Sequence, residues 1–211
     1  MDHPFWLDRW GKGQIAFHLG EVNPHLSRLA ARLPPGRVLV PLCGKSADLA
    51  YLAARGHDVV GVEFVEEAAR AFFAERALVP EEIRVGAAPA LRHQGLTIVV
   101  GDFFALDRGS VGAFDAIYDR AALVAIEPAR RRTYIEQLRA LAAPDSRLLL
   151  VTMDHDLEGG PPFSIGAEEL AELVAGHFEL EACGRQDALE PRQRDRGATR
   201  FVEHVWLGRA V

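Results

Sequence analysis

The chain has 211 residues, of which 49% are hydrophobic and 26% charged, and its formal net charge is −6. A chain of this length and composition forms one folded domain and is not intrinsically disordered. Its acidic balance, without a basic stripe, argues against a protein that binds DNA, RNA or an anionic membrane. We therefore expect a single domain over residues 1–211, a monomer, with no nucleic-acid or membrane partner.

The cysteine content, the N-terminal sequence and the length of the apolar runs indicate in which cellular compartment the protein is expected. Cys43 and Cys183 are too few for a disulfide framework and lack zinc-ligand spacing. The N-terminus has no basic start followed by an apolar stretch, as a secretory signal would. The longest apolar runs, such as 148–151, are far below the ~20 residues that span a bilayer. These features predict a cytoplasmic protein without a metal.

Short apolar runs alternate with helical patterns along the chain. The predicted strands are 37–40, 58–62, 97–100, 114–118 and 148–151. A helical stretch with Leu49, Leu52 and Ala53 at spacings of three and four follows the first strand, and further helices are predicted around 65–76, 129–142 and 167–176. Strands that are continuously apolar are buried on both faces, as in a parallel sheet covered by helices. The alternation therefore predicts a doubly wound α/β sheet.

Three segments depart from this alternation. Residues 178–183 and 200–207 are strand-like with no convincing helix between them, which predicts a C-terminal antiparallel hairpin. Segment 77–96 is rich in proline and glycine and predicts a small surface insertion. Residues 1–30 predict an amphipathic cap over one end of the sheet. Ligands in such folds bind beyond the carboxyl ends of the strands, so functional residues are expected there.

The turn after the first strand, VPLCGKS at 40–46, excludes two phosphate-binding motifs. A P-loop needs a glycine five positions before Gly44, where Leu39 stands. A dinucleotide fingerprint needs three glycines, and only Gly44 is present. A tight turn with one glycine, opening a helix, favours a ligand without phosphate, such as S-adenosylmethionine.

Acidic residues follow two successive strands. Glu63 lies nineteen residues after Gly44 and directly follows the second strand. A carboxylate at that position can accept both ribose hydroxyls of an adenosine-containing cofactor. Asp102, after the third strand, would reach the adenine edge. Alternatively, Glu63 and Asp102 cap the helices that follow them; acids at the ends of two successive strands favour the nucleoside site.

Six segments in order along the chain carry a family resemblance. They are WLDRW (6–10), VLVPLCGKS (38–46), GVE (61–63), GDFF (101–104), YDRAAL (118–123) and GPPF (160–163). Together they closely resemble the thiopurine S-methyltransferase family in its bacterial form, over nearly the whole chain. In that family PLCGKS replaces the glycine-rich turn of other methyltransferases.

The resemblance implies a Rossmann-like class I methyltransferase fold: a mixed seven-stranded sheet with an antiparallel C-terminal strand and helices on both faces. It implies S-adenosyl-L-methionine as methyl donor and S-adenosyl-L-homocysteine as product. The implied acceptor is the sulfur of a thiopurine or a similar aromatic or heterocyclic thiol, extending to selenium or tellurium species in detoxification.

The resemblance also assigns site residues. The implied cofactor contacts are Trp10, Leu42, Glu63 and Arg120, with Asp102 and Phe103 around the adenine. Arg120 and Arg192 are the implied catalytic residues, since both would face the acceptor. The segment around Arg192 diverges from the family, so Arg194 or Arg196 are alternatives to it.

Other chemically notable residues have simpler interpretations. Within WLDRW, Trp10 is expected to cover the cofactor, whereas Phe17 is either part of the acceptor pocket or of the core. Cys43 is interpreted as a small buried hydrophobe, since methyl transfer from a sulfonium needs no covalent enzyme intermediate. No spacing singles out His18 or His155 as proton acceptors, and both are expected to be bystanders.

Three alternative functions remain open from the sequence. A methyltransferase of the same fold could act on another small acceptor. A non-catalytic protein could bind a nucleoside only. An NAD-dependent oxidoreductase is disfavoured because the chain lacks GxGxxG.

Overall fold

A computed structural model describes residues 3–15, 18 and 20–211. Within these residues nine strands form one mixed sheet. In chain order they are β1 (Arg37–Val40), β2 (Asp58–Glu63), β3 (Glu81–Val85), β4 (Ala88–His93), β5 (Leu96–Val100), β6 (Phe114–Arg120), β7 (Ala142–His155), β8 (Phe178–Asp187) and β9 (Phe201–Ala210).

The strands lie in the order β3-β4-β5-β2-β1-β6-β7-β9-β8. The central five, from β5 to β7, are parallel to one another. At the C-terminal side β9 is antiparallel to both β7 and β8. The expected C-terminal antiparallel hairpin is thereby confirmed.

Helices cover both faces of the sheet, as expected. The α-helices are α1 (His3–Gly11), α2 (Pro24–Leu29), α3 (Ala47–Ala54), α4 (Glu66–Ala74), α5 (Arg108–Val111), α6 (Arg131–Leu141), α7 (Ala167–Val174) and α8 (Pro191–Arg194). Alternate residues of the strands point to opposite faces. On one face Leu39 packs in a core with α6 and α7; on the other, Val38 and Val40 pack with α2, α3 and α4.

The strand count of seven was wrong, because segment 77–96 contributes two more strands. Residues Glu81–Val85 and Ala88–His93 form an antiparallel hairpin whose second strand pairs with β5. Most of its side chains are exposed or half-buried. An edge hairpin of this kind lacks the continuous apolar run that marks the buried strands, so its sequence resembles a loop.

A buried polar chain fixes the segment before β1 to the sheet. The Tyr118 hydroxyl of β6 donates to Asp48 Oδ2 at 2.9 Å, and the backbone N–H of Asn23 donates to Asp48 Oδ1 at 2.7 Å. The Asn23 side chain in turn accepts from His25 N and caps α2. Because Asp48 and Asn23 are buried, losing one partner leaves a polar group without water.

We expect Tyr118→Phe to lower the free energy of unfolding by about 1–3 kcal/mol, because Asp48 Oδ2 then loses its buried donor. The matched control is Tyr51→Phe: Tyr51 is half-buried on α3, and its ring, which the Arg55 guanidinium covers at 5.5 Å, stays in place. Urea denaturation of both variants measures the difference. Equal, small losses in the two variants would show that the buried chain does not stabilise the fold.

Candidate active site

A cavity of about 710 Å³ opens at the carboxyl ends of the parallel strands. The turns that follow β1, β2, β5 and β6 line one side of it. Helix α1, the residues around Asn23 and the C-terminal strands line the rest. Its residues include Trp6, Arg9, Trp10, Asn23, Leu42, Gly44, Glu63, Phe103, Arg120, Met153, Gln186, Arg192, Gln193, Arg196 and Glu203. The volume suits a small-molecule site, for which about 300–1,000 Å³ is usual.

The turn after β1 has a left-handed backbone at two positions. Leu42 has φ +48° and Gly44 has φ +52°. Such a conformation costs a non-glycine residue about 1–3 kcal/mol and is concentrated at functional sites. At Gly44 a side chain would also press on Trp10, since an ideal Cβ would lie 3.2 Å from Trp10 Cζ2. The turn therefore brings Leu42 and Trp10 to the same wall of the cavity.

Lys45 and Ser46, which follow Gly44 in this turn, make local structural contacts. The Ser46 hydroxyl accepts from Asp48 N and caps α3. The Lys45 ammonium pairs with Glu75, which follows α4. Neither residue lines the cavity among the described residues, in agreement with the failed P-loop match.

Glu63 ends β2 and lines the cavity, although only 7% of it is exposed. Its Oε2 accepts from Gly44 N at 2.8 Å and its Oε1 accepts from Val65 N at 2.7 Å. Burial raises the pKa of this carboxyl, and the backbone donors oppose that rise. Since each carboxylate oxygen can accept a second hydrogen bond, Glu63 has capacity for hydroxyl donors in the cavity.

Phe103 and Asp102 follow β5 and differ in their surroundings. Phe103 lines the cavity and packs on Tyr134, with ring centroids 5.1 Å apart. Asp102 is not among the residues that line it. Its Oδ1 accepts from Phe104 N at 3.0 Å and caps the short 3₁₀ turn at Phe103–Ala105. Asp102 thus has the capping geometry that the sequence left open as its alternative.

Arg120 ends β6 and lines the cavity at a turn fixed by a buried carboxyl. The preceding Asp119 accepts from Leu123 N at 3.1 Å and from the Tyr134 hydroxyl at 2.7 Å. Burial raises the pKa of Asp119 to about 6. Ala121, which lies in the turn between Asp119 and Leu123, has a left-handed φ of +65°. These contacts hold the turn in the shape that places Arg120 at the cavity.

Two arginines from the segment after β8 also line the cavity. Arg192, on α8, lies with its Nε 3.1 Å from Glu190 Oε2, and its side chain is half exposed. Arg196 also lines the cavity, whereas Arg194 does not. Of the three candidates, Arg192 and Arg196 therefore line the same cavity as Arg120.

Several cavity residues were missed from the sequence. Glu203 lies on β9, Gln186 on β8 and Asn23 just before α2, and all line the cavity. Gln193 does as well, and its buried Oε1 has no hydrogen-bond partner among the described residues. For Glu203 a signal existed. Residues 201, 203, 205 and 207 alternate on one face of the strand, and Glu203 is the one charge among apolar side chains.

The other residues considered from the sequence are Cys43, His155, His18 and Phe17. Cys43 is buried, which raises its pKa, and its Sγ lies against Gly61, where a Cβ would come within 2.7 Å of it. His155 is buried; its Nδ1 accepts from Leu157 N and its Nε2 lies 3.2 Å from Pro162 O. His18 does not line the cavity. Phe17 lies outside the described residues.

The described residues contain neither a candidate metal site nor a candidate membrane-spanning helix. No group of three or more histidine, cysteine, aspartate or glutamate side chains within 3–15, 18 and 20–211 could hold a metal ion. In the same part of the chain no helix combines the length and apolar character that crossing a membrane requires.

Sequence comparison places the chain among known proteins. A family profile described as thiopurine S-methyltransferase matches residues 1–210. A thiopurine S-methyltransferase of Pseudomonas fluorescens is 42% identical over 98% of both chains. One from Pseudomonas aeruginosa is 44% identical, again over 98% of both.

Solved structures give the same fold at lower identity. The 1,6-didemethyltoxoflavin-N1-methyltransferase of Burkholderia thailandensis, solved with 1,6-didemethyltoxoflavin and S-adenosylhomocysteine bound, superposes with a TM-score of 0.70. It is 23% identical, and the match covers 99% of this chain and 86% of that one. A SAM-dependent methyltransferase of Methanosarcina mazei has a TM-score of 0.65 at 18% identity, over 90% of this chain and 99% of that one.

Proposed function

The chain belongs to the thiopurine S-methyltransferase family, and we propose that it transfers the methyl group of S-adenosyl-L-methionine to the sulfur of a heteroaromatic thiol. The observation that carries this proposal is the cavity itself, which the buried acceptor Glu63 lines from the end of β2 and which Arg120 and Arg192 line from the end of β6 and from α8. When bound, S-adenosyl-L-methionine supplies an electrophilic methyl group, and S-adenosyl-L-homocysteine is the product.

The residues at the β1, β2 and β5 ends fit the nucleoside part of this cofactor. Glu63 has spare acceptor capacity for two ribose hydroxyls, as carboxylates at this position do in Rossmann-type sites. Phe103 lines the same cavity and would contact the adenine there, although its ring is almost completely buried against Tyr134. The turn at Leu42 and Gly44 provides close backbone approach without the glycine pattern that pyrophosphate needs. Trp10, packed on Gly44, covers this part of the cavity.

Trp10 and Trp6 add an aromatic wall from α1. An aromatic face attracts a cation, and the sulfonium of the donor is positively charged. The same helix closes the cavity over the turn at Gly44, so it would exclude water from the reacting atoms. We therefore assign α1 the role of a cofactor cover.

The arginine end of the cavity suits the acceptor. A thiol reacts as its thiolate, and a nearby guanidinium favours the ionised form of an acid. Arg120 and Arg192 would bias the acceptor toward its anion and orient its planar ring. Alignment of the sulfur with the methyl group can then supply ~7–11 kcal/mol of barrier reduction, so no dedicated strong base is required.

The proposal extends to soft anions other than thiolates. Arginine guanidinium groups bind oxyanions well, so selenium and tellurium species are candidate acceptors in detoxification. Including selenite and tellurite as acceptors in the methylation assay tests this extension separately from the thiol activity.

We further propose that the protein is a cytoplasmic monomer without a metal. It would fold as one domain over residues 1–211, with residues 1–30 as the cap.

For the cofactor end we expect Glu63→Gln to weaken S-adenosylhomocysteine binding about 10- to 100-fold, because a neutral amide cannot accept from both ribose hydroxyls as a carboxylate does. Calorimetric titration measures this, with NAD as a ligand that should not bind. Glu66→Gln is the matched control, since Glu66 is an exposed carboxylate at the start of α4.

Unchanged affinity in Glu63→Gln would remove the ribose role. Binding of NAD instead of S-adenosylhomocysteine to the wild type would contradict the proposed function itself.

For the acceptor end we expect Arg120→Ala to lower kcat/KM for 6-mercaptopurine about 10- to 100-fold, because a charge-assisted contact to the sulfur is lost. The acidic limb of the kcat profile should also move to higher pH, since the thiolate is no longer stabilised. Arg132→Ala, at an exposed position on α6, is the control. Near-wild-type turnover and an unchanged pH profile in Arg120→Ala would exclude the role.

A further inference from the structure

A carboxylate lies at the acceptor end of the cavity, where arginines are expected to favour an anion. Glu203 on β9 is opposite Met153 of β7 and Gln186 of β8 in the strand register. All three side chains line the cavity, so one row across three neighbouring strands forms part of its wall. This row places the Glu203 carboxylate in the site by the geometry of the sheet.

The surroundings of Glu203 hold it as an anion. Its Oε2 lies 3.1 Å from His25 Nε2, and the two side chains are 17% and 8% exposed. The hydrogen bond from His25 lowers the pKa of Glu203 against the effect of burial, and the charges of Arg120 and Arg192 lower it further. His25 does not line the cavity, so it supports Glu203 from behind and leaves the carboxylate facing the site.

A carboxylate with a lowered pKa is a poor general base for a thiol, because the proton transfer is uphill. It is a strong hydrogen-bond acceptor, and it repels other anions. An acceptor that presents an anionic sulfur to the arginines and a ring N–H to Glu203 would satisfy both kinds of group. An acceptor that carries a carboxylate beside its sulfur would not.

We propose that Glu203 is a specificity-determining residue that selects heterocyclic thiols with a ring N–H over aromatic thiols with a carboxylate. Its carboxylate accepts the ring N–H and takes no proton during methyl transfer. This inference rests on the proposed function, because it concerns the acceptor of that same reaction.

The test compares three acceptors in wild type and Glu203→Gln: 6-mercaptopurine, which has ring N–H groups; thiophenol, which has neither group; and 2-mercaptobenzoate, which has a carboxylate. Removing the charge should lower kcat/KM for 6-mercaptopurine about 10- to 100-fold, the range expected for one hydrogen bond to a charged group. Thiophenol should change little, and 2-mercaptobenzoate should improve. The readout is therefore the selectivity ratio, which is kcat/KM for 6-mercaptopurine divided by kcat/KM for 2-mercaptobenzoate, with thiophenol as the reference acceptor.

Two variants complete the design. Glu181→Gln removes an exposed carboxylate of the neighbouring strand β8 that pairs with Arg32, and it should leave the ratio unchanged. Glu203→Asp keeps the charge for His25 and shortens the side chain. It should weaken 6-mercaptopurine without improving 2-mercaptobenzoate, and it serves if Glu203→Gln does not fold.

An equal fall for all three acceptors in Glu203→Gln would mean a structural role and overturn the inference, as would an unchanged ratio. If the wild type binds S-adenosylhomocysteine but methylates none of the three, the proposed thiol acceptor fails, and the inference fails with it. If the wild type is active and only the ratio does not respond, the proposed function stands and the inference alone is wrong.

Discussion

The buried carboxylate of Glu63 ties together the turns on the cofactor side of the cavity. Its side chain accepts the backbone N–H of Gly44 and of Val65, so the β1 and β2 turns are fixed to each other. Its own carbonyl accepts from Gly101 N at 2.9 Å, which adds the β5 turn. A charged group buried in this way is stable only while its hydrogen bonds are kept. Glu63 thus fixes three turns on this side of the cavity to one another and has acceptor capacity facing it.

The opposite end of the cavity is built by a different principle. Arg120 lies at the end of β6, where Asp119 fixes the turn that follows. Arg192 and Arg196 come from α8 and the residues after it, and Glu203 comes from β9. Positive groups there favour an anionic sulfur, and the carboxylate adds an acceptor beside them. In the proposed function, the two groups of residues would hold a nucleoside and a soft nucleophile in one cavity. The chain's membership of the thiopurine S-methyltransferase family is the independent support for a methyltransferase at this site.

The central parallel strands were predictable from the sequence, because buried parallel strands are continuous apolar runs. β1 was predicted over its full range, and the positions of Glu63 and Arg120 at strand ends followed from the strands. The β3–β4 hairpin was not, because an exposed edge strand needs no apolar alternation. Glu203 was missed because a carboxylate in a strand normally faces solvent. The sequence signal, one charge on an otherwise apolar strand face, shows that Glu203 is unusual, but only its register with Met153 of β7 and Gln186 of β8 shows that it lines the cavity.

The most direct test of the account is a crystal structure of the protein with S-adenosylhomocysteine and 6-mercaptopurine. We expect both ribose hydroxyls on Glu63, the adenine against Phe103, and the two sulfur atoms facing each other between the cofactor and Arg120. A nucleoside bound away from Glu63, or an acceptor sulfur remote from Arg120, would contradict the division of the cavity into these two ends.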